Sequence, residues 1–362
     1  MDLSYNLLRL STRGYKFLAD RVDLLPRSVV FEASKLCNLK CIGCPRNVEG
    51  NLSKQSGDKH LTLETVRRVV DKLPVKLVGF GGDGEPLLNP NLIDILEYLS
   101  KKKIHSSIIT NGTIMTNQLA EDFRKLRVYE LSFSYWGTSP ETHEPLRVGA
   151  DFDKLVRNHR IASSKVRTAI WYLITRRTIQ DLTNLEDLIY KTNSSGIVFL
   201  KPVIKSLDTP TDFYPPDWEA YRIVLESTLS NIREKGLEIY NPLNLTPKVL
   251  RCYNPVHPVI TIKGDVVPCW MTWGQGESEY YQGGHLRNNE NNYLLGNIYK
   301  NSFKEIWNSP GHRELRQTVK YLNKEDGKST PRDELVKLRE TPLKERFDYC
   351  KVYQWRWGEA YN

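Results

Sequence analysis

From Ser28 onward, short apolar runs alternate with longer stretches whose apolar residues recur at helical spacing. The short runs predict strands over residues 28–34, 77–82, 105–110, 129–135, 168–175 and 197–204. The helical pattern covers 62–73, 91–103, 116–126, 151–165 and 184–193. Thr62 and Thr116 stand where N-caps are expected, and Ser139-Pro140-Glu141 puts a hydroxyl, a fixed φ and a carboxylate at another helix entrance. Repeated β-α units of this kind imply parallel strands joined by right-handed crossovers. Their chemistry is then expected in the loops at the C-terminal ends of the strands, as in other α/β barrels.

The flanks read differently. Residues 2–22 carry Leu3, Leu7, Leu8, Phe17, Leu18 and Val22 among Arg9, Arg13, Lys16 and Arg21, which predicts basic amphipathic helices closing one end of the core, ended by Pro26. Beyond Ile204, the stretch 209–216 reads as a linker, and Asp217 can cap a helix over 218–235. Pro242, Pro247, Pro255 and Pro258 argue against regular structure over 236–258. The stretch 258–268 reads as a β-hairpin turning at Lys263-Gly264, and 274–292 reads as a loop without periodicity. Ser302 and Glu305 form a capping box, and Ser309-Pro310 opens a further helix toward Leu322. Residues 323–345 are strongly charged, and the tail 349–357 is too aromatic to be solvated throughout. The chain thus divides into a helical segment (1–27), an α/β core (28–208), a linker and helix completing that core (209–251) and a smaller C-terminal domain (252–362).

Composition narrows the classes. With 362 residues, 40% hydrophobic and 26% charged, the chain has a globular composition. No apolar run reaches bilayer-spanning length and no signal peptide is evident, so a cytoplasmic protein that does not engage a membrane is expected. The net charge of +9 is scattered and no nucleic-acid module accompanies it, so nucleic acid is not the expected partner. Six cysteines in such a chain suggest metal or redox chemistry rather than a disulfide framework.

Three of those cysteines, Cys37, Cys41 and Cys44, lie in a C-x3-C-x2-C loop after the first strand. Three thiolates can hold three corners of a [4Fe–4S] cube and leave the fourth iron open to a ligand. The competing reading is a zinc knuckle, for which His60 is the only histidine close by. Gly81-Gly82-Asp83-Gly84-Glu85-Pro86 follows the second strand. Its exposed peptide groups and carboxylates suit an ammonium or amino-acid ligand, and its acidity argues against a phosphate cradle. Asn111-Gly112 follows the third strand, so all three motifs fall on the expected active face.

Together these motifs resemble the radical S-adenosylmethionine (SAM) enzymes. Thr110-Asn111-Gly112 is similar to that family's T-N-G, Ser132-Phe133-Ser134-Tyr135-Trp136-Gly137 to its S-x-S-x-D-G, and Arg147 to the arginine of its K-L-R-x-G-type motif. Two departures stand out: Gly43 is small where relatives are often aromatic, and Trp136 replaces the usual aspartate. Further on, Cys252, Gly264 and Cys269, then Leu295-Gly296-Asn297-Ile298, then Glu305-Ile306-Trp307-Asn308-Ser309-Pro310 with Leu315-Arg316, resemble the SPASM/twitch extension.

The resemblance implies an α/β fold, a partial (β/α)6 TIM-like barrel, with a small SPASM/twitch-like domain containing the hairpin. It implies a [4Fe–4S] cluster on Cys37, Cys41 and Cys44, with SAM on the open iron. Gly81, Gly82, Asp83, Gly84 and Glu85 would hold the methionyl amino group, and Ser134 and Arg147 the ribose and carboxylate. Reductive cleavage of SAM would then let the enzyme take hydrogen from a substrate, with electrons from a donor such as flavodoxin or ferredoxin. Cys252, Cys269 and Cys350 would hold a second, auxiliary [4Fe–4S] cluster, although Tyr353 stands where such relatives carry a fourth cysteine. Relatives of this kind modify peptides and proteins or oxidise small alcohols and sugars; a peptide or protein substrate is expected. The non-enzyme alternative is a zinc-binding interaction protein.

Overall fold

The structure is a computed structural model that describes residues 25–47, 57–200, 210–213, 221–234, 236–241, 258–268, 278–282, 285–289, 294–313 and 316. The predicted segment 2–22, the charged stretch 323–345, the aromatic tail and Cys252, Cys269 and Cys350 lie outside the described residues, as does half of 209–216.

The strands are β1 (Ser28–Glu32), β2 (Lys40–Cys41), β3 (Leu77–Gly81), β4 (His105–Thr110), β5 (Val128–Tyr135), β6 (Arg147–Val148), β7 (Thr168–Leu173), β8 (Gly196–Leu200), β9 (Glu238–Asn241), β10 (Val259–Ile260), β11 (Asp265–Val267), β12 (Ser278–Gln282), β13 (His285–Asn289) and β14 (Gly296–Asn297). The helices are α1 (Leu63–Val70), α2 (Leu92–Lys101), α3 (Asn117–Lys125), α4 (Pro140–His143), α5 (Phe152–Ser163), α6 (Leu185–Thr192), α7 (Arg222–Glu234) and α8 (Phe303–Trp307). All six predicted core strands and all five predicted core helices are present. The helix starts follow the predicted chemistry: Thr62 Oγ1 accepts from the Thr65 N–H, Thr116 Oγ1 from the Leu119 N–H, and Ser302 and Glu305 cap each other.

One sheet carries the order β14-β11-β10-β1-β3-β4-β5-β7-β8-β9. Every pairing from β10 through β9 is parallel, and β11 and β14 add antiparallel strands at one side. Phe31, Phe80, Phe133 and Phe199, from four of the parallel strands, are fully buried in the same core as Val66, Leu96, Phe123 and Leu155 of the helices. Burial on this scale, roughly 1.5–3 kcal/mol per large side chain, is what the helix faces contribute to the sheet. The loops after β1, β3, β4 and β5 therefore all emerge at one end.

Two expectations need correcting, and a third gains a partner. Residues 236–258 were expected to lack regular structure, yet Glu238–Asn241 forms β9, parallel to β8. The prolines act only at and just before their own positions, and the first of them, Pro242, follows the strand. Residues 274–292 were expected to be a loop, yet β12 and β13 pair antiparallel from Ser278↔Asn289 to Gln282↔His285. The sequence between these strands is Gly283-Gly284, a two-residue hairpin signal, but both strands are too polar to show an apolar period. Lastly, the 258–268 hairpin forms as predicted, but its first strand extends the main sheet, with Val30↔Val259 and Phe31↔Ile260 in parallel register.

Glu32, at the end of β1, shows how that extension is fixed. Its side chain is 1% exposed, and Oε2 accepts the Ile262 N–H at 3.1 Å. Burial, reinforced by Asp83, pushes its carboxyl up from 4.5 to about 8. The folded chain therefore holds a proton that the unfolded chain releases between those values, so stability falls as pH rises through this window, by at most about 1.4 kcal/mol per unit. Glu32→Gln is expected to flatten the slope and to melt higher than the parent at pH 8. Thermal midpoints at pH 6 and pH 8 check this; parallel shifts in both proteins would refute it.

Candidate functional site

The loop between β1 and α1 carries the three cysteines as free thiols, Cys41 buried and Cys37 and Cys44 half-buried. It is shaped by its own backbone partners. Cys41 lies in β2, paired with Arg147 of β6, and the Ile42 N–H donates to Leu146 O at 2.9 Å. The Arg46 guanidinium donates to Cys37 O at 3.1 Å and Leu39 O at 3.4 Å, and Asn47 Nδ2 to Cys41 O at 3.0 Å. His60 is turned to Ser34, with Nδ1 3.2 Å from its hydroxyl.

Burial, then the charge of Asp83, pushes the Cys44 thiol up to about 12, and burial raises that of Cys37. Cys37 and Cys44 thus hold their protons in the bare loop, and loading it with metal releases them. The donor set fits an iron–sulfur cluster: soft sulfurs on one loop, none of them in a disulfide. Among the described residues no three His, Cys, Asp or Glu side chains converge as a single ion requires. A cubane asks less of them, because each thiolate takes its own iron.

The Gly81–Pro86 turn is pressed against this loop. The Glu85 N–H donates to Leu36 O at 2.7 Å. A Cβ on Gly84 would lie 2.2 Å from Ser34 O and 2.6 Å from Leu36 O, so only glycine fits there. Gly82 adopts φ +121°, also glycine territory. Glu85 itself faces inward and is 2% exposed. Its Oε1 accepts from Thr110 Oγ1 at 2.6 Å and the Leu87 N–H at 3.1 Å, and its Oε2 from the Asn111 N–H at 2.6 Å. Asp83, half-buried on the same turn, stands close enough to Cys44 to act on its thiol. Glu85 acts through the loops that it ties together.

Glu85→Ala would leave three donors without an acceptor, each costing about 1–3 kcal/mol when buried. We expect a loss of stability of at least about 3 kcal/mol together with weaker SAM binding. Weakened binding with an unchanged thermal midpoint would instead put the carboxylate on the ligand directly.

Ser134 and Arg147 are tied together through the Ser134 carbonyl, which accepts from Arg147 Nη1 at 2.8 Å. The Arg147 guanidinium lies 5.3 Å from the Trp136 ring centroid, and its buried Nε has no partner among the described residues. Trp136, in the place of the usual aspartate, also packs against Phe213, with ring centroids 5.5 Å apart. Phe213 covers the other departure too: Gly43 sits at φ +70°, and its Cβ would meet the Phe213 ring at 2.5 Å. Phe213 carries no sequence signal of this role, since it falls in a stretch that reads as linker. Asn38 was likewise missed; it binds Asn111 and Thr113 across the loops.

Comparison with known proteins places the chain in a family. The radical SAM superfamily matches residues 32–189, and an iron–sulfur cluster-binding domain, SPASM, matches 252–330, together more than half of the chain. The AdoMet-dependent heme synthase of Methanosarcina barkeri is 25% identical over 323 residues, covering 80% of this chain and 85% of that protein. Among solved structures, the anSMEcpe protein with bound AdoMet superposes at a TM-score of 0.63 and 20% identity, covering 81% of this chain and 83% of its own. Streptococcus suis SuiB bound to precursor peptide SuiA superposes at 0.62 and 15% identity, covering 87% and 72%.

Proposed function

The chain is a radical SAM enzyme with a C-terminal SPASM domain, and from that premise we propose that it takes a hydrogen atom from a peptide or protein substrate. The observation carrying the catalytic part is the open set of three thiols with a glycine turn packed directly on its loop. Cys37, Cys41 and Cys44 hold a [4Fe–4S] cluster. When bound, the reduced cluster supplies the electron that cleaves SAM and so generates the hydrogen-abstracting species.

The chain's own residues bind, orient and exclude water. Gly81, Gly82, Asp83 and Gly84 present peptide groups and a carboxylate to the amino group of SAM. Arg147, with a free buried N–H, serves its carboxylate, and Ser134 lies on the strand end that serves the ribose. Trp136 and Phe213 form an apolar wall beside the cluster loop that keeps water from the site. Cys252, Cys269 and Cys350 hold a second cluster. The electron comes from a flavodoxin- or ferredoxin-type donor in the cytoplasm; no helix among the described residues is long and apolar enough to cross a membrane.

The peptide assignment is supported by the likeness of fold to SuiB, solved with a precursor peptide. The likeness to a heme synthase favours a second reading, oxidation of a small molecule. The test is anaerobic reconstitution with iron and sulfide, followed by 5′-deoxyadenosine formation with and without a short peptide encoded beside the gene. Acceleration by the peptide is the expected result. Cleavage that responds only to small molecules would favour the second reading, and no cleavage at all would end both.

A further inference from the structure

The motif residue Asn111 has a task that the binding of SAM does not account for. Its side chain is buried, 5% exposed, and lies between the loop after β4 and the cysteine loop. Oδ1 accepts from the Thr113 N–H at 3.0 Å and from the Thr113 hydroxyl at 2.7 Å. The backbone donor fixes which end of the amide is oxygen, so the NH2 group points the other way. There, one hydrogen serves Asn38 Oδ1 at 2.9 Å and the other serves Cys37 Sγ at 3.8 Å. Asn38 is fixed in turn: its own Nδ2 donates to the Thr113 hydroxyl at 2.7 Å. The hydroxyl thus accepts once and donates once. The Asn111 N–H is anchored separately on Glu85. Every polar atom of the Asn111 side chain is committed, and one donor remains aimed at sulfur.

From this geometry the structure assigns Asn111 as a hydrogen-bond donor to the cluster's Cys37 thiolate, setting the reduction potential of the SAM-binding cluster. This rests on the proposed cluster site. Reduction adds negative charge that is shared onto the cysteine sulfurs, and an N–H dipole aimed at one of them stabilises the reduced state more than the oxidised one. The Cys37 side chain is half-buried, so solvent dilutes the dipole only in part. The donor therefore raises the potential and eases electron entry from a biological reductant.

The test is an EPR-monitored redox titration of the reconstituted full-length protein, following the signal component that changes when SAM is added. Asn111→Ala is expected to retain its iron and to lower the equilibrium constant for reduction several-fold; a tenfold drop would be 59 mV for one electron. Thr113→Val, which removes one of the two donors holding the amide, is expected to shift it in the same direction by less. If Asn111→Ala fails to assemble its cluster, Thr113→Val decides on the same criterion. An unmoved potential with iron content unchanged would overturn the assignment while leaving the proposed function intact. A parent protein that takes up no [4Fe–4S] cluster would overturn both.

Discussion

Replacing Cys37, Cys41 and Cys44 together by alanine is expected to reduce 5′-deoxyadenosine formation to the level of a protein-free control. Among the described residues no other group near this loop can take their place. His60 is bound to Ser34, and Asp83 and Glu85 offer hard oxygen donors poorly suited to iron–sulfur chemistry. The loop itself should survive, since it is held by Arg46, Asn47 and the β2–β6 pairing rather than by sulfur. The melting point of the metal-free triple variant should therefore lie close to that of the metal-free parent. The same variant reports on the second cluster: about four irons per chain after reconstitution would place one on the remaining cysteines, and iron near zero would leave that site empty. Undiminished 5′-deoxyadenosine would sink the radical mechanism.

Gly84→Ala should cost nearly as much without touching a ligand. The added methyl meets Ser34 O, Ser34 C and Leu36 O, all within 2.6 Å and all main chain, so no side chain can swing aside. Relief requires the Gly81–Pro86 turn to lift from the cysteine loop and the 2.7 Å bond between the Glu85 N–H and Leu36 O to break. Overpacking costs about 1–3 kcal/mol and the lost bond about 1 kcal/mol more. A shift of about 1 Å between two halves of one site can cost about 100-fold in rate, and that is the loss expected for SAM cleavage. Gly311→Ala, with open space around it, is the control and should be silent. Equal turnover in the two variants would mean that the turn is not part of the site.

The order of strands and helices was legible because each unit is local: an apolar run, a cap, a helical period. The cysteine motif was legible because its spacing lies within one loop. What escaped were pairings between distant segments. Glu85 reads as a ligand-facing carboxylate until Thr110 and Asn111, one β-α unit on, are seen to occupy it. Gly43 and Trp136 read as two separate departures until Phe213 is found covering both. The strand β9 was hidden by prolines that lie just beyond it, and β12 and β13 by polarity that masks a two-residue period.

The pairing of β1 with β10 also sets a clock on synthesis. Glu32 and its partner Ile262 are 230 residues apart, so one edge of β1 stays open until the later segment leaves the ribosome. At ordinary rates of translation that interval is roughly 10 to 50 s. During it the nascent chain exposes an unpaired row of backbone donors and acceptors on a strand that includes Val29, Val30 and Phe31. A chain halted before residue 259 never covers that edge, and it is the form most prone to pair with its neighbours on the same message.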